Sequence, residues 1–182
     1  EVGINYRYVA ARWHRLMIEL GYSRYGAGGG DFGAGVSTFL ALDHAEAVIG
    51  IHLTTAELSP TVEDAALSDA ERSYLAVNRG WAAVERGYSA IQSTKPQTIG
   101  YGLNDSPAGL AAYLGEKWRS WSDVTPSDDF LCATLTLYWA TQTITSSMRD
   151  YWDNRRYPDD PAYVSTPTAF GVFANETVPE GE

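Results

Sequence analysis

Gly28-Gly29-Gly30-Asp31-Phe32-Gly33 is the stretch on which the fold of this chain turns. It fits three structures. Its spacing satisfies G-x-G-x-x-G, the turn that carries a dinucleotide pyrophosphate. Against that, Asp31 would set a carboxylate beside the pyrophosphate. The acidic ribose ligand expected about 20 residues on is also missing, since His52 and Leu53 end the next apolar run. The stretch equally fits a nucleophile elbow, small-x-Asp-x-small, in which the nucleophile stands on a sharp strand-to-helix turn. There the flanks, Gly29 and Gly33, must be small because neighbouring backbone passes close by. The helix that follows aims its amide dipoles at the site and stabilises negative charge there. The third structure is a glycine-rich loop whose Asp only caps a helix, and the segment alone favours it.

The elements on either side follow βαβ grammar. Tyr6, Val9, Trp13, Leu16, Met17 and Leu20 recur at three- and four-residue steps. They predict a helix over Tyr6–Leu20, with Gly21 at its C-cap. A short strand is expected near Ser23–Ala27, then the turn, then a helix over Ala34–Asp43. The apolar run Ala47–Leu53 suits a strand buried on both faces of a parallel sheet. The crossover between the two strands should be right-handed.

The middle of the chain is helical. Ser68 and Glu71 form a capping box that opens a helix running to about Tyr88. Ser106-Pro107 opens a second, with Trp118 and Trp121 near its end. Ser127-Asp128-Asp129 opens a third, running to about Tyr151, its acidic first turn complementing the helix dipole. Another strand is expected over about Pro167–Phe173. A helical block between strands has the form of a cap inserted over a sheet. The expected division is residues 1–60 for core and elbow, 61–160 for the helical cap, and 161–182 for the return to the core.

Bulk composition narrows the function. A formal net charge of -10 over 182 residues repels phosphate backbones and argues against nucleic acid as a partner, and its plainest meaning is solubility. Six Trp and twelve Tyr suit an apolar pocket, because tyrosine buries a large ring and keeps a polar tip. The single cysteine, Cys132, lies in an apolar helical run and is expected to be a buried structural thiol. No stretch has the length of a membrane span or the layout of a signal peptide. A cytoplasmic location is the resulting expectation. Nothing calls for a metal or a cofactor. Both ends of the sequence read as cuts within a longer chain.

Several further stretches resemble one family. Gly21-Tyr22-Ser23-Arg24-Tyr25-Gly26-Ala27, running into Gly29-Gly30-Asp31-Phe32-Gly33-Ala34, resembles the nucleophile region of the microsomal-type epoxide hydrolases. Gly87-Tyr88-Ser89-Ala90-Ile91-Gln92-Ser93-Thr94-Lys95-Pro96-Gln97-Thr98 resembles their cap. So do Leu103-Asn104-Asp105-Ser106-Pro107-Ala108-Gly109-Leu110-Ala111-Ala112-Tyr113, Glu116-Lys117-Trp118, Tyr138-Trp139 and Thr145-Ser146-Ser147-Met148-Arg149. Phe173-Ala174-Asn175-Glu176 resembles the stretch that carries the family's acid. These motifs fall in order over nearly the whole chain.

The resemblance implies a partial α/β-hydrolase fold of the α/β class: a mostly parallel sheet with an inserted helical cap. It implies a small apolar epoxide and water as substrates, with a homo-oligomer left open. Asp31 is implied as the nucleophile that forms a hydroxyalkyl ester. Tyr88 and Tyr151 are implied as the cap phenols on the epoxide oxygen, Glu176 as the acid behind a histidine base, and the Phe32 N–H as an oxyanion-hole donor. Outside the family frame, Tyr88 and Tyr151 are ordinary helix aromatics and Glu176 a solvated carboxylate.

The sequence also departs from the family. Phe32 stands where Trp is usual, and Gly28 where Gln is frequent. No His-Gly-x-Pro and no Gly-Gly-His stretch is present, and none of His14, His44 and His52 follows Glu176. His14, with Arg12 and Arg15, looks like a solvated helix face. His52 stands at the strand end where α/β sites form. The 182 residues by themselves are therefore expected not to turn over. The competing functions are a haloalkane dehalogenase, disfavoured by Phe32, and a non-catalytic binder of apolar ligands on the same fold.

Overall fold

The computed structural model describes residues 2–55, 67–159 and 162–175. They form two compact units, one of residues up to 85 together with residues from 157 on, the other Arg86–Arg156.

In the first unit, α1 (Tyr6–Glu19) starts at Asn5, whose side chain accepts from the Tyr8 N–H at 3.0 Å. It ends in a Schellman motif. Gly21 adopts φ 87°, its N–H reaches the Ile18 carbonyl at 2.9 Å, and the Tyr22 N–H reaches the Met17 carbonyl at 2.9 Å. The motif holds the chain in a turn through Arg24, so β1 is Tyr25–Gly29, two residues later than the sequence predicts. Then follow α2 (Phe32–Asp43), β2 (Val48–Leu53) and, much later, β3 (Thr168–Phe170). The strands lie in the order β1-β2-β3, all parallel. Three parallel strands in this order, with helices packed on them, fit the α/β class expected from the sequence.

Ala10, Tyr25, Ala34, Phe39, Leu40, Ala41, Val48, Ile51 and Leu53 form the core between the helices and the sheet. A bidentate pair from Arg7 to Asp43, with both contacts at 2.7 Å, ties the start of α1 to the end of α2. Only one face of β2 is covered by described residues. Ile51 and Leu53 are buried, while Ile49 and His52 are exposed, so the expectation of a strand covered on both faces does not hold here.

The helix α3 (Asp69–Glu85) opens on the predicted capping box. The Glu71 N–H reaches Ser68 Oγ at 3.2 Å, and the Ser68 N–H reaches Glu71 Oε2 at 2.5 Å. This helix stops short of Tyr88, because Arg86 leaves the helical conformation and a separate helix begins.

The second unit is all helix: α4 (Gly87–Thr94), α5 (Pro96–Asp105), α6 (Pro107–Trp121), α7 (Asp128–Thr141), α8 (Ile144–Ser147) and α9 (Arg149–Arg156). Helix α5 went unpredicted, its Gly100 and Gly102 masking the pattern. Gly100 is required by packing, since a Cβ there would come within 2.6 Å of Thr145 Oγ1. Asn104 donates to the same oxygen at 3.0 Å.

Helix α6 has the predicted cap. Ser106 Oγ accepts from the Gly109 N–H at 3.0 Å, and Pro107 takes the first position. The single helix expected from Ser127 to Tyr151 is three. Gln142 turns left-handed at φ 53° and ends α7. Leu103, Leu110, Ile144 and Met148 form the core of this unit. Cys132 is exposed, against expectation. Leu131 is the buried residue of α7, and the next position turns about 100° away from it.

Candidate active site

Asp31 stands on the sharp turn between β1 and α2, with φ 48° and ψ -126°. An L-residue adopts positive φ only under constraint, at a cost of about 1–3 kcal/mol. Several contacts supply that constraint. The Asp31 N–H donates to Thr55 Oγ1 at 2.8 Å, and the Thr54 N–H donates to the Gly29 carbonyl at 3.1 Å. On the helical side, the Ala34 N–H reaches the Asp31 carbonyl at 3.0 Å. Asp31 makes no side-chain cap bond to α2, and it is exposed. The simplest alternative for this turn, an Asp that serves as helix cap, is therefore not what the geometry shows.

The glycines are needed unequally. A Cβ on Gly29 would fall on the backbone of Gly33, and one on Gly30 on the hydroxyl of Thr54. A Cβ on Gly33 would meet nothing within 4 Å. The expectation that Gly33 must also be small does not hold among the described residues: its backbone fills the space beside Gly29, but a side chain on it would point into open space. Gly35 lets α2 approach α1, since a Cβ there would come within 2.6 Å of the Tyr6 ring. That ring also packs on Phe32, the first residue of α2, with centroids 5.3 Å apart and planes at 55°.

The second unit brings Tyr88 and Tyr151 together. Tyr88 is on the first turn of α4 and Tyr151 on α9, helices that pack on each other. Their rings meet edge to face, with centroids 5.7 Å apart and planes at 82°. Tyr88 also meets Trp121 of α6 at 5.3 Å and 61°. Beneath them the buried Gln92 donates from Nε2 to the Tyr113 hydroxyl at 3.0 Å. Burial pushes the Tyr113 phenol above the usual tyrosine range, and the Gln92 hydrogen bond opposes this. On α9, burial raises the Asp150 carboxyl, and the neighbouring Asp153 raises it further.

Glu176 falls outside the described residues. His52 follows the strand's exposed face and lies against Gly171. His14 is not part of a solvated face. It is half-buried, its Nδ1 is 2.7 Å from the Tyr25 hydroxyl, and its ring stacks on His44 at 3.7 Å and 5°. Tyr25 begins β1 and His44 ends α2, so the pair sits at the end of the sheet opposite the elbow turn. Helical spacing put His14 beside two arginines and hid the long-range contact that buries it. Among the described residues no cluster could hold a metal ion, and no helix is long and apolar enough to cross a membrane.

No protein-family model matches the chain. Epoxide hydrolase 1 of Sus scrofa is 32% identical over 213 aligned residues, which cover 97% of this chain and 46% of that protein. Juvenile hormone epoxide hydrolase of Bombyx mori is 36% identical over 169 residues, covering 79% and 37%. A crystal structure of the silkworm juvenile hormone epoxide hydrolase superposes with a TM-score of 0.82 at 33% identity, covering 94% of this chain and 48% of that one. The chain spans less than half the length of the curated relatives it matches.

Proposed function

We infer the function from one premise: this chain belongs to the epoxide hydrolase family of the α/β-hydrolase fold. Its protein converts a small apolar epoxide and water to a vicinal diol. The observation that carries this is the carboxylate of Asp31, exposed on a positive-φ turn between a parallel strand and a helix.

A carboxylate oxygen of Asp31 attacks one epoxide carbon. A carbon–oxygen bond forms there as the ring's carbon–oxygen bond breaks, and the electron pair stays on the epoxide oxygen. Tyr88 and Tyr151 donate hydrogen bonds to that oxygen and supply its proton. Phenols suit the task because they are neutral near pH 7 and donate strongly. The edge-to-face stack of the two rings supports this pairing, since it fixes their relative orientation.

Water then attacks the ester carbonyl, the Phe32 N–H helps hold the oxyanion, and the acyl carbon–oxygen bond breaks; one proton of the water goes to the departing diol oxygen and the other returns to the tyrosine, which restores the Asp31 carboxylate. Glu176 is assigned to orient the histidine that takes the proton from water. That histidine lies outside these 182 residues, since none of the three present follows Glu176. The chain alone is accordingly expected not to turn over, reaching the ester at most.

The test is mass spectrometry of the full-length protein after brief exposure to an epoxide. A gain equal to the whole epoxide mass, on the peptide containing Asp31 and absent in Asp31→Asn, is expected. Steady diol production by Asp31→Asn would overturn the assignment.

A further inference from the structure

We propose that Lys117 is a positioning residue for ring opening, holding a positive charge over the face of Tyr88. This rests on the assignment of Tyr88 as a phenol that serves the epoxide oxygen. Two helices of one unit carry the arrangement. On α4, Tyr88 and Gln92 are one turn apart; on α6, Tyr113, Lys117 and Trp121 recur at four-residue steps, so each set shares a helix face. The faces meet as rungs. Gln92 donates to Tyr113 at 3.0 Å, and one turn along, the Lys117 ammonium lies 5.7 Å from the Tyr88 ring centroid and 5.0 Å from that of Trp121. Trp121 closes the group by meeting Tyr88 at 5.3 Å.

The ammonium is held there rather than free in water. The Lys117 side chain keeps 21% of its exposure, against 53% for the Glu116 carboxylate 3.1 Å away. The contact with that exposed carboxylate is screened by solvent. Two aromatic faces instead fix the ammonium, and a partly desolvated cation over a ring is worth more than one in water. As the epoxide opens, negative charge builds on its oxygen and spreads through the hydrogen bond onto the Tyr88 phenol. A fixed cation at the ring face favours that state over the ground state, which is the condition for accelerating a step. Ester hydrolysis places its negative charge at the Asp31 carbonyl and gains nothing from it.

The full-length protein is mixed with excess epoxide, and ester formation and ester decay are followed separately by rapid quench and mass spectrometry. Lys117→Met, which keeps the stem and removes the charge, is expected to slow ester formation about tenfold and leave decay unchanged. Lys117→Arg should restore most of the rate; Lys117→Gln replaces the Met variant where that one melts early. Equal slowing of both steps, an Arg variant as slow as Met, or no slowing at all overturns the role of Lys117 while ester still forms on Asp31. Absence of any ester in the unsubstituted protein sinks the nucleophile assignment and this role together.

Discussion

The backbone of Gly33 occupies the space that a side chain on Gly29 would need. The two glycines therefore make different demands, although they stand symmetrically about Asp31. Gly29→Ala should force the turn open, costing about 2–3 kcal/mol as an overpacked site does, and should abolish ester formation. Gly33→Ala meets open space in the first turn of α2 and should change stability by no more than about 1 kcal/mol. Denaturant melts of both variants, with the epoxide adduct measured alongside, check this. A Gly29→Ala protein as stable as its parent would refute the close approach.

Asp31 keeps its left-handed backbone at a cost. Asp31→Gly removes the Cβ that makes φ 48° unfavourable, and should raise stability by about 1 kcal/mol while removing the carboxylate proposed as nucleophile. Thermal unfolding of Asp31→Gly beside Asp31→Asn separates the two effects, because Asn retains the strained backbone. A glycine variant no more stable than the asparagine one would show that the turn is unstrained.

Tyr151→Phe retains the ring and its edge-to-face contact with Tyr88, and loses only the hydroxyl. Ester formation should slow about 100-fold or more, as for loss of one oxyanion donor. Rapid quench gives the rate. An unchanged rate would remove Tyr151 from the reaction.

The stacked His14 and His44 link stability to pH. Burial, and then the His14 charge, lower His44 below its ordinary value of 6.5. The unfolded chain therefore binds the proton more readily than the folded one. The contribution of His44 is fully present above about 6.5 and is lost as pH falls through the folded value. His44→Phe keeps an aromatic stack on His14 and should flatten this loss. Urea melts from pH 7.5 down to about 5 show whether the two proteins converge or keep parallel slopes.

Asp150 runs with the opposite sign. Its carboxyl is raised above 3.8 by burial and by Asp153, so the folded state disfavours its charge. Asp150→Asn should melt higher than its parent at neutral pH, and the gain should vanish once the unfolded carboxyl also protonates, below about 3.8. Scanning calorimetry at both pH values reads the difference.

Elements with a local signature were legible in the sequence. Ser68 with Glu71, Ser106 with Pro107, and Gly21 each marked a helix end, because caps depend on a few adjacent side chains. Elements set by neighbours were not. The break at Gln142 has no glycine to announce it, and helix α5 hides behind Gly100, whose reason is Thr145, far along the chain. Cys132 and His14 depart from expectation for the same cause, since one helix's periodicity does not say which face another element will cover. In the candidate site, Asp31 and its turn were readable as one of three structures, and the positive φ with no side-chain cap bond counts against the plain helix cap. The pairing of Tyr88 with Tyr151 was legible only through the family's motifs, because α4 and α9 meet across four intervening helices.

Those four helices, α5 to α8, form a looped-out stretch between two aromatic partners that touch directly. Sequence drift in lengths, turns and apolar linings can pass without altering the spacing of the two rings so long as it spares α6, whose Trp121 and Lys117 meet Tyr88. A lineage is thus free to try many shapes of molecule while inheriting the same pair of hydroxyls.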